Sequence, residues 1–307
     1  MYKYEGIMER IIKTIEEYLE EIFNIQRKND NCIEESHLHK GLAFRGQNNK
    51  NYELLPSIGR NRKFSTDVSI LDQERNLIEM AKYKLPNIFK PSLSPVDLLA
   101  LLQHFGVPTR LMDVTSNPLI ALYFASLDEG NDGEVIVFDY NDMDATNYPI
   151  VNAIADSYKF LNVTTESLIL FLENACLQPY FEEQRNQINN WGENKKVHWI
   201  EDCCKDLLFV NATEQVERQR IQQGFYILFT NEIIKNENKV LFNKKILPIE
   251  KTHKQIKERI IVDKDCKTDI LEKLSFLGIS EATLFVDNID IVCKNIVKQC
   301  NMFLKRC

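Results

Sequence analysis

Apolar residues recur at helical spacing in several parts of the chain. Between residues 9 and 25 they lie three or four positions apart with Glu and Lys between them, which predicts one amphipathic helix. Ser94-Pro95 and Asn117-Pro118 each place a capping side chain before a first-turn proline, so a helix is expected to begin at each. The same patterns predict helices over 68–84, near 152–160, over 164–176 and 268–277, and from 287 onward.

Short apolar runs bounded by polar or turn residues predict the strands. They lie at 41–44, 135–138, 207–210, 225–229, 240–242, 260–262 and 282–286. Helices and strands are mixed along the chain, and most of the strands fall in its second half. We therefore predict an α+β fold with a mixed, mainly antiparallel sheet and flanking helices.

The composition narrows the class of protein without naming a function. The chain has 307 residues, of which 44% are hydrophobic, and its formal net charge is −7. These values exclude a disordered or fibrous chain and argue against coating of nucleic acid by the whole surface. The sequence has no apolar signal core near residue 1 and no run of about 18 apolar residues. We expect a cytoplasmic protein with no membrane partner, and the oligomeric state stays open.

The cysteines and histidines do not form a metal-binding pattern. The chain has 8 cysteines without a C-x-x-C pair, and its 5 histidines are scattered. We expect reduced cysteines and no metal.

A first candidate site follows the strand at 41–44. Arg45 stands at the strand end with Gly46 after it, an arrangement in which a guanidinium can meet a phosphate or carboxylate while the backbone comes close, and Gln47 follows. An internal salt bridge of Arg45 is the alternative. Residues 40–63 hold six basic residues against one acidic residue, which indicates either a solvated loop or a funnel for a nucleotide or nucleic-acid backbone.

A second candidate site links two predicted helices over 103–118. His104 is a candidate acid or base, or an interior histidine with satisfied hydrogen bonds. Arg110 and Asp113 are close enough in sequence to pair with each other, and both are candidate ligand-binding residues. Thr115 and Ser116, together with the amides at the start of the next helix, are candidates for anion binding.

Two further segments carry polar residues near a predicted strand. Residues 211–225 hold many long polar side chains, among them Glu217, Arg220 and Gln223, which suits either a ligand rim or a charged turn. Residues 278–287 are most simply a junction between a strand and a helix.

These four segments, in this order, resemble the FRG domain, a bacterial family named for a Phe/Tyr-Arg-Gly signature. The resemblance rests on Phe44-Arg45-Gly46-Gln47, on 104–115 with 117–119 and 121–125, on Arg220 with 222–225, and on 278–285. It implies an N-terminal helical segment over 1–39, an FRG domain over 40–290 and a C-terminal helix over 291–307 that continues the domain.

The layout is also similar to ADP-ribosyltransferases of the Arg–Ser–Glu type, and this second resemblance implies a chemistry. Arg45 matches the arginine on the first strand, Thr115-Ser116 the serine segment, and 219–221 the glutamate-containing turn before a later strand. Arg220 stands where that glutamate is expected, so Glu217 is the candidate for stabilising the cation that develops during cleavage.

Two hypotheses follow from these resemblances. In the first, the protein is an enzyme that acts on NAD or another nucleotide, as a transferase or glycohydrolase, and serves as a toxin or phage-defence effector; Arg45, Glu217 and His104 are its catalytic candidates and NAD its cofactor. In the second, a non-catalytic sensor uses the same pocket to bind a nucleotide, a nucleic-acid end or a protein. A carboxylate within reach of the Arg45 pocket favours the enzyme, and an all-cationic pocket favours binding.

Overall fold

The computed structural model describes residues 9–36, 40–60, 70–128, 130–141, 146, 148–161, 165–213, 216–236 and 239–286. Its helices are α1 (Ile15–Ser36), α2 (Glu74–Lys84), α3 (Pro95–His104), α4 (Pro118–Ser126), α5 (Pro149–Ala155), α6 (Leu168–Cys176), α7 (Arg185–Asn189), α8 (Glu193–Cys203), α9 (Glu217–Ile221), α10 (Lys267–Phe276) and α11 (Glu281–Leu284). Its strands are β1 (Glu9–Ile12), β2 (Lys40–Gln47), β3 (Leu111–Thr115), β4 (Gly133–Asn141), β5 (Thr165–Ser167), β6 (Leu208–Val210), β7 (Gly224–Leu228), β8 (Glu232–Asn236), β9 (Lys239–Asn243) and β10 (Ile256–Val262).

Within the described residues, seven strands form the main sheet, in the order β1-β10-β4-β2-β3-β7-β6. β1 and β10 run parallel, and the other neighbouring pairs of this sheet are antiparallel. A second, antiparallel sheet has the order β5-β9-β8. The predicted α+β fold with a mixed, mainly antiparallel sheet is therefore confirmed.

The main sheet separates two apolar clusters. Successive side chains of β4 alternate between them: Val135 and Val137 belong to the cluster under α1, α4 and α10, whereas Ile136 and Phe138 belong to the cluster on the opposite face. A third cluster lies among α3, α5, α6 and the second sheet. Both faces of the main sheet are thus covered, and a site must lie at an edge, an end or a gap of the sheet.

The predicted helix over 9–25 is wrong at its start. Residues 9–12 form β1, in which Ile12 is 4% exposed and Ile11 is 64% exposed, the alternation of a strand with one buried face. The helix begins at Ile15 and continues to Ser36. The hydroxyl of Tyr18 in α1 donates to the carbonyl oxygen of Pro118 at 2.7 Å, so this N-terminal segment packs directly against α4.

The predicted strand over 282–286 is also wrong. Residues 281–284 form α11, because the Ser280 amide donates to the hydroxyl of Thr283 and the two residues form a capping box. The predicted helix over 164–176 divides into β5 and α6, and the one near 152–160 ends as α5 at Ala155 before a short 3-10 turn. Residues 68 and 69 and the predicted helix from 287 lie outside the described residues, as does the segment 291–307.

Helix α4 packs against the sheet at a glycine. A Cβ atom added at Gly46 would lie 1.9 Å from the carbonyl oxygen of Ala121 and 2.8 Å from the amide nitrogen of Ala125. Only a residue without a side chain allows this separation between β2 and α4. The contact sets the position of the helix that begins beside the candidate site.

Candidate ligand-binding site

A cavity of about 260 Å³ opens where two central strands diverge. β2 and β3 are paired where Phe44 faces Thr115, and the chain segments beyond that pair separate. We call this space the Arg45 cavity. Its described lining consists of Phe44, Arg45, Gly46, Gln103, His104, Asp113, Val114, Thr115, Ile120, Phe124, Val216, Arg218, Gln219, Gln222, Gly224, Phe225, Tyr226 and Phe285.

Arg45 is the central cation of this cavity. Its Nη1 donates to the carbonyl oxygen of Asp113 at 2.5 Å, and its buried Nε has no hydrogen-bond partner among the described residues. Burial lowers the pKa of the guanidinium, the Asp113 carboxylate opposes that change, and Arg60 adds to it. Arginine nevertheless stays protonated at neutral pH, so an unsatisfied positive donor remains in the cavity.

Asp113 supplies a carboxylate to the same cavity. Its Oδ1 accepts a hydrogen bond from Nε2 of Gln103 at 2.9 Å, and Oε1 of Gln103 accepts one from the hydroxyl of Thr109 at 2.5 Å. This chain of hydrogen bonds orients the carboxylate. Burial raises the pKa of the neighbouring Tyr226 phenol, and the charge of Asp113 acts in the same direction. The cavity therefore contains both signs of charge.

Aromatic rings form one side of the cavity. Phe124 of α4 and Phe285 meet edge to face with their ring centroids 6.3 Å apart. The guanidinium carbon of Arg218 lies 5.5 Å from the centroid of Phe285, within the range of a cation–π interaction. His104 lines the cavity as well, half-buried, and its ring contacts the exposed Phe105. An aromatic surface thus lies beside the cations.

Thr115 lines the cavity at the end of β3, where its hydroxyl has local partners. The hydroxyl donates to the carbonyl oxygen of Gln222 at 2.7 Å and accepts from the amide of Asn117 at 3.0 Å. The amides expected to receive an anion at the start of α4 are bonded within the chain: Oδ1 of Asn117 accepts from the amide of Leu119 at 3.0 Å. These amides are therefore not free to receive an anion.

Arg110 does not pair with Asp113, and this expectation is wrong. Its guanidinium forms two hydrogen bonds of 2.6 Å to the carboxylate of Glu74 and a third, of 2.8 Å, to Oδ1 of Asn231. Arg110 is 1% exposed and lies outside the Arg45 cavity, although it was a candidate ligand-binding residue. Its three contacts instead join α2 and the residues before β8 to the start of β3.

Other candidates from the sequence lie outside the Arg45 cavity. Glu217, the first residue of α9, is exposed and does not line it. Gln47 is 5% exposed, and its Oε1 has no partner within the described parts of the chain. Ser116, Arg220 and Gln223 line a separate depression beside it.

Sequence reasoning missed several lining residues. Arg218 and Gln222 lie four positions apart, one helical turn, and both reach the Arg45 cavity. That spacing groups them, whereas the predicted site residues Glu217 and Arg220 lie on other sides of the same helix. Gln103 follows a helical apolar run, and no sequence signal marks its contact with Asp113.

No group of three metal-binding side chains occurs among the residues described by the structure. Within the same residues, no helix is long and apolar enough to cross a membrane.

A family model with the description FRG domain matches residues 40–133. No curated protein and no solved structure matches the chain. The matched range contains Arg45, His104, Asp113 and Thr115 and ends at the start of β4, so α9 and α11 lie beyond it.

Proposed function

The chain contains an FRG domain, and from this premise we propose that the Arg45 cavity binds a nucleotide. The observation that carries the proposal is the buried Nε of Arg45, which has no hydrogen-bond partner in the part of the chain that the structure describes. A guanidinium nitrogen in such a position is suited to a phosphate oxygen, because charge-assisted hydrogen bonds to phosphate compensate for its desolvation. Arg218 provides a second cation at the same cavity.

The remaining lining suits the base and sugar of such a ligand. Phe124 and Phe285 offer aromatic faces and edges against which a base can pack. The volume of about 260 Å³ lies just below the roughly 300–1,000 Å³ typical of small-molecule sites. The cavity therefore fits one nucleoside phosphate better than a whole dinucleotide.

Calorimetric titration with AMP tests this proposal. We expect AMP to bind the wild-type protein and Arg45→Ala to weaken that binding by about tenfold to a hundredfold, since a hydrogen bond to a charged group contributes about 1.5–3 kcal/mol. Adenosine, which has no phosphate, is expected to lose little affinity in the same variant.

Arg27→Ala is the matched control, because Arg27 is an exposed arginine of α1 and does not line the cavity. It is expected to bind AMP as the wild type does. Equal AMP affinity in the wild type and Arg45→Ala, with both proteins folded by circular dichroism, would rule out the proposal.

A second candidate function is cleavage of the N-glycosidic bond of NAD, as in a transferase or glycohydrolase. One observation favours it: the carboxylate of Asp113 lines the cavity beside Arg45. A negative charge there would stabilise the oxocarbenium-like ribose as nicotinamide leaves with the bonding electron pair. Arg45 would then hold a phosphate of NAD, and the similarity to ADP-ribosyltransferases would extend to activity and to a toxin or phage-defence role.

A nicotinamide-release assay tests the second candidate. We expect the wild type to release nicotinamide from NAD and Asp113→Asn to release it at least about tenfold more slowly while NAD still binds. If Glu217→Gln slows nicotinamide release and Asp113→Asn does not, the catalytic role belongs to Glu217, as the sequence predicts. Absence of release from the wild type would leave nucleotide binding without cleavage, the function of a sensor.

A further inference from the structure

A second depression of about 280 Å³ adjoins the Arg45 cavity. We call it the Arg220 cavity. Its described lining consists of Ser116, Tyr140, Asn211, Gln219, Arg220, Gln223, Gly224 and Phe225. Gln219, Gly224 and Phe225 line both cavities, so the two spaces share a wall.

Neighbouring residues in the sequence face the two cavities in turn. Thr115 lines the Arg45 cavity and the next residue, Ser116, lines the Arg220 cavity. The same alternation separates Gln222 from Gln223 in the turn between α9 and β7. The end of β3 and residues 222–224 therefore form a ridge between two cavities.

Hydrogen bonds fix this ridge. The hydroxyl of Thr115 donates to the carbonyl oxygen of Gln222 at 2.7 Å. The amide of Ser116 donates to the carbonyl oxygen of Gln223 at 3.1 Å. Gln223 has a φ of 47°, in the left-handed region that non-glycine residues rarely adopt. Such backbone strain persists only where surrounding contacts enforce it, and it is concentrated at ligand-binding sites. The spacing of the two cavities is consequently set before any ligand binds.

The two cavities share three kinds of group, namely guanidinium, amide and aromatic ring. Each has one arginine of α9, since Arg218 lines the first and Arg220 the second. In the Arg220 cavity the rings of Tyr140 and Phe225 lie 5.3 Å apart, and the described polar lining is hydroxyl, amide and guanidinium without a carboxylate. Amide side chains can pair with the edges of a base, aromatic rings with its faces, and an arginine with a phosphate.

We infer that the ligand is a dinucleotide that crosses the ridge, with one nucleoside phosphate in each cavity. This inference deepens the proposed function and rests on it. The Arg45 cavity has room for one nucleoside phosphate, and the adjoining Arg220 cavity would hold the second one of such a ligand. Binding of the second half is intramolecular once the first half is bound, so linkage raises affinity without any change in the first cavity.

Titration of the protein with AMP, NAD and the 5′-phosphorylated dinucleotide pApA tests the inference. At least one dinucleotide is expected to bind about tenfold or more tightly than AMP. An advantage of NAD identifies a pyrophosphate-linked ligand, and an advantage of pApA identifies a phosphodiester-linked ligand such as a strand end. AMP binding with no advantage for either dinucleotide overturns the inference and leaves the proposed function intact.

Two variants in one helix separate the cavities. Arg220→Ala is expected to reduce the affinity ratio of dinucleotide to AMP to near one. Arg218→Ala, two residues earlier, is expected to weaken both ligands and to keep that ratio. A ratio unchanged by Arg220→Ala overturns the inference, whereas failure of the wild type to bind AMP or either dinucleotide overturns the proposed function together with it.

Discussion

Arg110→Met is expected to lower the free energy of unfolding by about 3–5 kcal/mol, because it removes one partner of a buried ion pair. Arg110 and Glu74 are 1% and 3% exposed and are joined by two hydrogen bonds of 2.6 Å. Methionine leaves the carboxylate of Glu74 buried without its cation, and Oδ1 of Asn231 loses a donor as well. Chemical denaturation followed by circular dichroism measures the loss.

The double variant Glu74→Met with Arg110→Met is the control for this prediction. It removes both charges and fills the space with apolar groups, which in other buried ion pairs is far less costly than breaking the pair. We expect it to be more stable than Arg110→Met alone. If the double variant loses as much stability as the two single variants together, the cost comes from packing rather than from an unpaired charge.

The start of a helix can be predicted from the sequence where a neighbouring side chain caps it. The hydroxyl of Ser94 accepts from the amide of Asp97, and Asn117 caps the amide of Leu119, so α3 and α4 begin where the capping residues predict. β1 does not follow from local pattern, because its pairing with β10 is a contact between distant parts of the chain. Local helical spacing and a remote strand partner compete there, and the strand partner prevails.

The sequence predicts part of the lining of the Arg45 cavity but not its shape, and six of the ten candidate residues lie outside it. Arg45, His104, Asp113 and Thr115 were chosen from the sequence, and the structure brings all four to one cavity. Their neighbours divide between two cavities because orientation changes with each residue at a strand end or in a short helix. Within α9, Arg218 and Arg220 therefore serve different cavities, a distinction that depends on the rotation of a five-residue helix.

Gly46→Ala is expected to lower the free energy of unfolding by about 3 kcal/mol or more, at the upper end of the usual cost of overpacking. The new methyl group would lie 1.9 Å from the carbonyl oxygen of Ala121 and 2.8 Å from the amide nitrogen of Ala125. Both are backbone atoms, which cannot rotate away as a flexible side chain can. Helix α4 must therefore move from the sheet. Ile120 and Phe124 line the Arg45 cavity from that helix, so AMP affinity should fall together with stability.

Gly192→Ala is the matched control, because a Cβ atom at Gly192 would meet no atom of the described residues within 4 Å and its φ of −66° suits any residue. Its stability should stay within about 1 kcal/mol of the wild type. Equal unfolding midpoints for Gly46→Ala and Gly192→Ala would contradict the direct contact between β2 and α4. If Gly46→Ala loses stability but keeps its AMP affinity, the packing of α4 on β2 does not control ligand binding. Ile120 and Phe124 would then contribute little to the affinity.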